Sequence, residues 1–151
     1  MKHLLSTLCL VLLTLFAATS YSQNRQAGKP FLFGDFPTTI NCTAAQLSSF
    51  FSASKGQNIS LSLANNFSLA GSITSNQVKY SNLQTIVIKL SAFKNSLFSL
   101  SKQTDQANHI SYVGRIINPL YADGFELKPT PDGNYQLIKI DVAKILVNCN
   151  Q

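Results

Sequence analysis

The sequence predicts an α+β single domain: an antiparallel meander sheet of about seven strands, with an N-terminal and a C-terminal helix packed on one face. Three observations carry this. Apolar residues alternate with a period of two through most of the stretch from Asn58 to Ile140. Turn signals break that stretch at hairpin spacing, most clearly at Ser81-Asn82 and at Thr130-Pro131-Asp132-Gly133-Asn134. Stripes of period 3.6 flank it: Ala44, Leu47, Phe50 and Phe51 before, and Val142, Ile145, Leu146 and Cys149 after.

Residues 1–22 have the make-up of a secretory signal peptide. Lys2 and His3 form a short basic start, Leu4 to Ala18 is apolar apart from Ser6, Thr7 and Thr14, and Ser20-Tyr21-Ser22 sets up cleavage before Gln23. The apolar run is shorter than the roughly 20 residues a spanning helix needs. No stable membrane insertion is expected after cleavage. Cys9 lies in a poor lipobox, so lipid attachment is not expected either. The mature chain is then residues 23–151, or 151 − 22 = 129 residues, enough for one core. Losing Lys2 leaves 11 basic against 6 acidic residues, a net +5. The destination is the periplasm or the extracellular space. Scattered lysines on a secreted chain argue against nucleic acid.

Cys42 and Cys149 are the two cysteines of the mature chain, and an oxidising compartment predicts a disulfide between them. It would close a loop of 149 − 42 + 1 = 108 residues, for which chain-entropy models give about 4–5 kcal/mol.

Along the mature chain, Gln23 to Lys29 is a polar lead-in. Pro30 to Phe36 packs three phenylalanines into seven residues and reads as an edge strand or an apolar arm laid on the body. Thr38 to Gly56 carries the first helix, with Thr43 and Gln46 as a capping box and Gly56 at its C-terminal end. In the next hairpin, Ile59, Leu61 and Leu63 alternate, as do Phe67, Leu69, Gly71 and Ile73. Matching their apolar faces selects a three-residue loop, Ala64-Asn65-Asn66, with Asn66 near the left-handed region. After the Ser81-Asn82 turn, Ile86, Ile88 and Leu90 point inward, as do Phe98 and Leu100 of the following strand.

From Ile110 to Ile140 the sequence specifies two registers. A loop over Asn118 to Asp123 pairs Arg115 with Glu126, Ile116 with Phe125 and Gly114 with Leu127, since Pro119 cannot serve inside a central strand. The Thr130–Asn134 turn then pairs Leu127 with Ile138, Phe125 with Ile140 and Glu126 with Lys139. Asp141 begins the last helix as its N-cap.

Chemistry is harder to find. His109 is the sole histidine of the mature chain, with no clustered Cys, His or carboxylate to make a metal site. No Gly-x-Ser-x-Gly motif is present. Asp105, Asp123 and Asp132 fall in turn contexts, where such side chains bond the local backbone. The expectation is a protein that is not an enzyme and takes no cofactor. Arg115, Glu126 and Lys139 instead align on the outer sheet face. They read either as an ion-pair ladder, worth roughly 0.2–1 kcal/mol per pair, or, with Lys89 and Lys128, as a basic binding face. Val113, Ile117 and Leu137 would give that face apolar contact area. Three N-glycosylation sequons begin at Asn41, Asn58 and Asn66 and bear on the protein only in a eukaryotic host.

The Ser-Tyr-Ser-Gln exit, the arm FLFGDFP and the segments YSNLQTIVIKL, YVGRI and DGFELK…GNYQLIKI together resemble a group of small secreted proteins of Gram-negative bacteria. The resemblance implies location and size class, and it assigns no functional residue. The reading is a secreted or envelope-associated binding module for an unknown protein, such as a secreted peptidase, or for an acidic glycan. An enzyme of unrecognised type and a self-assembling envelope component are the alternatives.

Overall fold

In the computed structural model, residues 28–64 and 67–147 are described. They form strands β1 (Thr39–Cys42), β2 (Asn58–Ser62), β3 (Ser68–Tyr80), β4 (Leu83–Leu90), β5 (Ser96–Thr104), β6 (Ile110–Ile117), β7 (Asp123–Pro129) and β8 (Tyr135–Asp141). Helix α1 (Ala44–Phe50) joins β1 to β2, and α2 (Val142–Val147) follows β8. All strands belong to one antiparallel sheet, in the order β1-β8-β7-β6-β5-β4-β3-β2. The meander is therefore real, but helices of seven and six residues make the fold mostly β rather than an even α+β mixture.

The strand that the sequence pattern hid is β1. Thr39 to Cys42 falls in the stretch assigned to the first helix, and four residues are too few to show a period. Ile40 and Cys42 are buried, and the strand is zipped to β8 through Thr39↔Ile138, Ile40↔Leu137 and Cys42↔Tyr135. The helix then begins where its capping box says it should. Thr43 N–H donates to Gln46 Oε1 at 2.8 Å and Gln46 N–H to Thr43 Oγ1 at 3.1 Å. Leu47 and Phe50 are buried, and Phe50 meets Phe98 of β5 edge-on at 6.0 Å. The helix ends at Phe50, well before Gly56. That glycine (φ 87°) instead turns the chain into β2, its N–H donating to Ile73 O.

What stops α1 is side-chain capping from the sheet. Asn76 Nδ2 donates to the carbonyls of Phe51 and Ala53 at 3.1 and 2.8 Å, and Gln84 Nε2 donates to Asn76 Oδ1 at 2.9 Å. Asn76 reaches inward because β3 bulges. Ile73 pairs with Ile88 and Ser75 with Val87, so Thr74 is an extra residue and the inward parity passes from Ile73 to Asn76.

Several registers match expectation. Leu61 pairs with Leu69 and Leu63 N–H donates to Phe67 O, which is the three-residue loop; its Asn66 lies outside the described residues. Tyr80 pairs with Leu83 across Ser81-Asn82, and Arg115 with Glu126. The β6–β7 ladder ends at Arg115, so the expected Gly114–Leu127 pair is not made.

The register between β7 and β8 is a correction. Leu127 pairs with Leu137, Glu126 with Ile138 and Phe125 with Lys139, one residue away from the expected alignment. The turn holds five residues, closed by Thr130 N–H donating to Asn134 O at 2.9 Å. Tyr135 decides it. Its ring is buried edge-on against Tyr112, and its hydroxyl accepts the Tyr112 N–H at 3.1 Å, beyond the end of the β6–β7 ladder. Satisfying that buried N–H and burying Leu137 beside Ile40 outweigh facing Ile138 and Ile140 inward. A one-residue slip exchanges the faces, and Lys139 goes to the inner one.

Lys139 there meets the arm. Pro30 to Phe36 is neither strand nor helix, and it is tied down at both ends. Lys139 Nζ donates to the carbonyls of Phe36 and Gly34 at 2.7 and 3.3 Å. The buried Asp123 carboxylate accepts N–H bonds from Leu32 and Phe33 at 2.6 and 2.9 Å, rather than bonding its own turn as expected. Between these ties Phe33 is fully buried, with ring contacts to Phe36, Phe93 and Phe125. Phe67 stacks on Phe93 at 4.9 Å and completes a five-ring cluster closing one end of the core. The burial expected of the arm holds for Phe33, while Phe31 stays exposed.

At the C-terminus, Val142 N–H donates to Ala122 O and the Val142 side chain is buried near Gly124 of β7. Asp141 is the last residue of β8, paired across the ladder with Asp123. Cys149 lies outside the described residues. Cys42 is buried and has no disulfide partner among those described.

Candidate functional site

The outer sheet face follows from the registers. One row across β5 to β8 reads Ser99, Arg115, Glu126, Ile138, and the next row toward the β7–β8 turn contains Ser101, Val113, Lys128 and Gln136. Of the three residues expected in line, Arg115 and Glu126 are there, and Ile138 replaces Lys139. Glu126 accepts from Arg115 Nη2 at 2.7 Å and Nε at 3.0 Å through one carboxylate oxygen, and from Lys128 Nζ at 2.6 Å through the other. Lys128 reaches Glu126 because residues two apart on a strand share a face. These bonds, from Lys128 and then Arg115, hold the Glu126 carboxyl below its ordinary range.

Lys89 is exposed on β4 in the neighbouring outer row, opposite Leu97. With Arg115, Lys128 and Lys89 against Glu126, the face carries 3 − 1 = +2. Exposed apolar side chains lie among these charges: Val113 at 62%, Leu97 at 42% and Ile138 at 37%. Leu137, expected there, is instead fully buried on the other side.

A second feature has no counterpart in the sequence reading, because it depends on β1. A cleft of about 690 Å³ opens where β1 passes into α1, walled by Asn41, Thr43 and Gln46 on one side and by Asp132, Asn134 and Gln136 on the other. Gln136 Nε2 donates to Asn41 Oδ1 at 2.9 Å across the β1–β8 pair. The five-residue turn is braced by its own carboxylate, Asp132 accepting from Thr130 Oγ1 and from Asn134 Nδ2. Those bonds, Thr130 first, pull the Asp132 carboxyl down to about 2.

His109 sits in an exposed loop. Asp105 accepts the backbone N–H groups of Ala107 and His109, both at 2.8 Å, and lies 3.2 Å from His109 Nδ1. The His109 N–H bond is the main cause of a lowered Asp105 carboxyl. The pair locks the β5–β6 loop. Burial pushes the Cys42 thiol up to about 11, which makes it a poor nucleophile at neutral pH. Among the described residues no three His, Cys, Asp or Glu side chains are grouped to hold a metal, and no helix is long and apolar enough to cross a membrane. No family model, curated protein or solved structure matches the chain.

Proposed function

We propose that this is a secreted, non-catalytic binding module that engages a protein partner through the outer face of β5 to β8. The observation that carries the reading is the mixture on that face. Val113, Leu97 and Ile138 are exposed around Arg115, Glu126 and Lys128, giving apolar area edged by a net positive charge. Scattered apolar residues are common on any surface, but an apolar patch with charges set among it is the make-up of a protein contact. An acidic glycan would use the cations and leave the apolar residues idle. Leu97 lies diagonal to Arg115, and Ile138 directly opposite Glu126, so all fall within one contact area. The signal-like residues 1–22 and a Cys42–Cys149 bridge belong to the same proposal, since both suit export to an oxidising compartment.

The test is capture from the secreted fraction of the producing cells, comparing wild type with Val113→Glu and with Arg115→Glu/Lys128→Glu. Loss of the same captured protein in both variants supports the reading. Loss in the charge variant alone, with capture by a carboxylated polysaccharide matrix, would establish the acidic glycan instead. Capture unaffected by either variant would overturn an outer-face site.

A further inference from the structure

We infer that the cleft between the start of α1 and the β7–β8 turn is a binding site for a neutral, hydroxyl-rich ligand, a carbohydrate chain without acidic sugars. This goes beyond the outer-face reading and rests on different residues. The first ground is charge. Among the described residues the lining of the cleft holds no lysine, arginine or histidine, and the one cation at its rim is Lys128, opposite Gln136 on the neighbouring strand. The one ionisable wall residue of the cleft at neutral pH is Asp132, which stays charged down to about pH 2. An anionic ligand inside the cleft would meet the Asp132 carboxylate, and Lys128 at the rim is already engaged by Glu126, so acidic glycans and phosphorylated ligands are disfavoured there.

The second ground is the pattern of unused hydrogen-bonding groups. The single bond from Gln136 to Asn41 leaves one amide N–H₂ and one amide carbonyl on this pair, and no described residue bonds either. One unused N–H₂ group and one unused carbonyl are left whichever way the two amides are oriented. Asn134 donates to Asp132 and keeps its own side-chain carbonyl. A donor beside acceptors is complementary to neighbouring sugar hydroxyls, each of which both gives and accepts a hydrogen bond.

The third ground is that the walls are already in place. Gln46 is held at both ends, its Oε1 accepting from Thr43 N–H and its Nε2 donating to Ser62 O at 3.2 Å. Asp132 is held by Thr130 and Asn134. A ligand arriving there would order few side chains, which lowers the cost of binding. A volume of about 690 Å³ lies within the range of small-ligand sites.

The experiment is a titration of ¹⁵N-labelled full-length mature protein, followed by amide signals, with cellotetraose, maltotetraose, N-acetylchitotetraose, tri-galacturonate and a Gly-Ser peptide as probes. A saturable shift of the Asn41, Asn134 and Gln136 signals with one of the neutral sugars is expected. That affinity should fall about ten-fold in Asn41→Ser and in Gln136→Ser, the loss of one or two hydrogen bonds. Both positions are on the surface, so the variant spectra also report whether the fold is kept. Val113→Glu, on β6 and two strands away from Gln136, should bind the sugar as wild type does, which separates this site from the outer face. Four outcomes would overturn the inference: no shift with any neutral sugar, equal binding of tri-galacturonate, binding of the peptide alone, or full affinity in both serine variants.

Discussion

Asp123 accepts the backbone N–H of Phe33 at 2.9 Å, in the buried interior and across 90 residues of sequence. The same carboxylate takes the N–H of Leu32, so one side chain satisfies two donors of a segment that has no ladder of its own. Replacing it with alanine strands both N–H groups against the five-ring cluster. Asp123→Ala should therefore lose about 2–4 kcal/mol in urea unfolding and expose the arm to proteolysis near residues 29–36. Wild-type stability with a protected arm would show that the phenylalanines hold the arm unaided.

Lys139 offers a sharper contrast, because the two registers give it different jobs. Its amine bonds the carbonyls of Gly34 and Phe36, on the inner side. Lys139→Met should cost about 1 kcal/mol of stability and leave partner capture unchanged. The reverse pattern, unchanged stability with lost capture, would place Lys139 on the binding face after all.

The pH dependence follows from depressed carboxyls, Glu126 and Asp132 together with the Asp105 already described. Lys128 and Arg115 hold Glu126 below its unfolded value of 4.5, and Thr130 holds Asp132 at about 2 against 3.8. A depressed carboxyl contributes stability that is present above the unfolded value and is lost as pH falls through the folded one. Acid titration of the unfolding midpoint should therefore show stability declining from about pH 4.5 downward. Glu126→Gln should flatten the upper part of that decline and Asp132→Asn the lower part. Identical slopes in wild type and Glu126→Gln would remove the ion pairs from the account.

For the disulfide, the geometry is demanding. Tyr135, opposite Cys42, and Asp141, before α2, are six residues apart on β8, a distance of about 20 Å. Six helical residues and two extended ones reach about 16 Å, and a bridge itself spans about 5.5 Å between Cα atoms. The bridge forms only if the chain returns nearly straight along the sheet. The expected result is a mature secreted protein with no titratable thiol after denaturation without reductant. Two thiols per chain would exclude it.

Much of the sheet was legible because its apolar residues alternate cleanly within local hairpins. Leu61 against Leu69 and Ile116 against Phe125 follow from apolar faces alone. Where the sequence misled, a buried polar contact had overridden the apolar pattern. Ile138 and Ile140 look like core residues until the Tyr135 hydroxyl is seen to take the Tyr112 N–H, and that one bond moves Lys139 to the other face. Likewise β1 is invisible because its strand character comes from β8, a partner at the far end of the chain. The cleft beside Asn41 and Gln136 was lost with it, whereas Arg115, Glu126 and Lys128 were found because they sit within a strong local hairpin.

The pairing of β1 with β8 also sets an order of events. Thr39 meets Ile138 only after every strand of the meander has been made, so the first strand of the chain waits for the last. During synthesis from the N-terminus, about a hundred residues follow Ile40 and Cys42 before their β8 partners exist, and β7 keeps an unpaired edge until then. Such long-range pairing is slow. A chain interrupted before Tyr135 would carry β2 to β7 and leave β1 without a strand to pair with, so the last strand is what ties the start of the chain into the sheet.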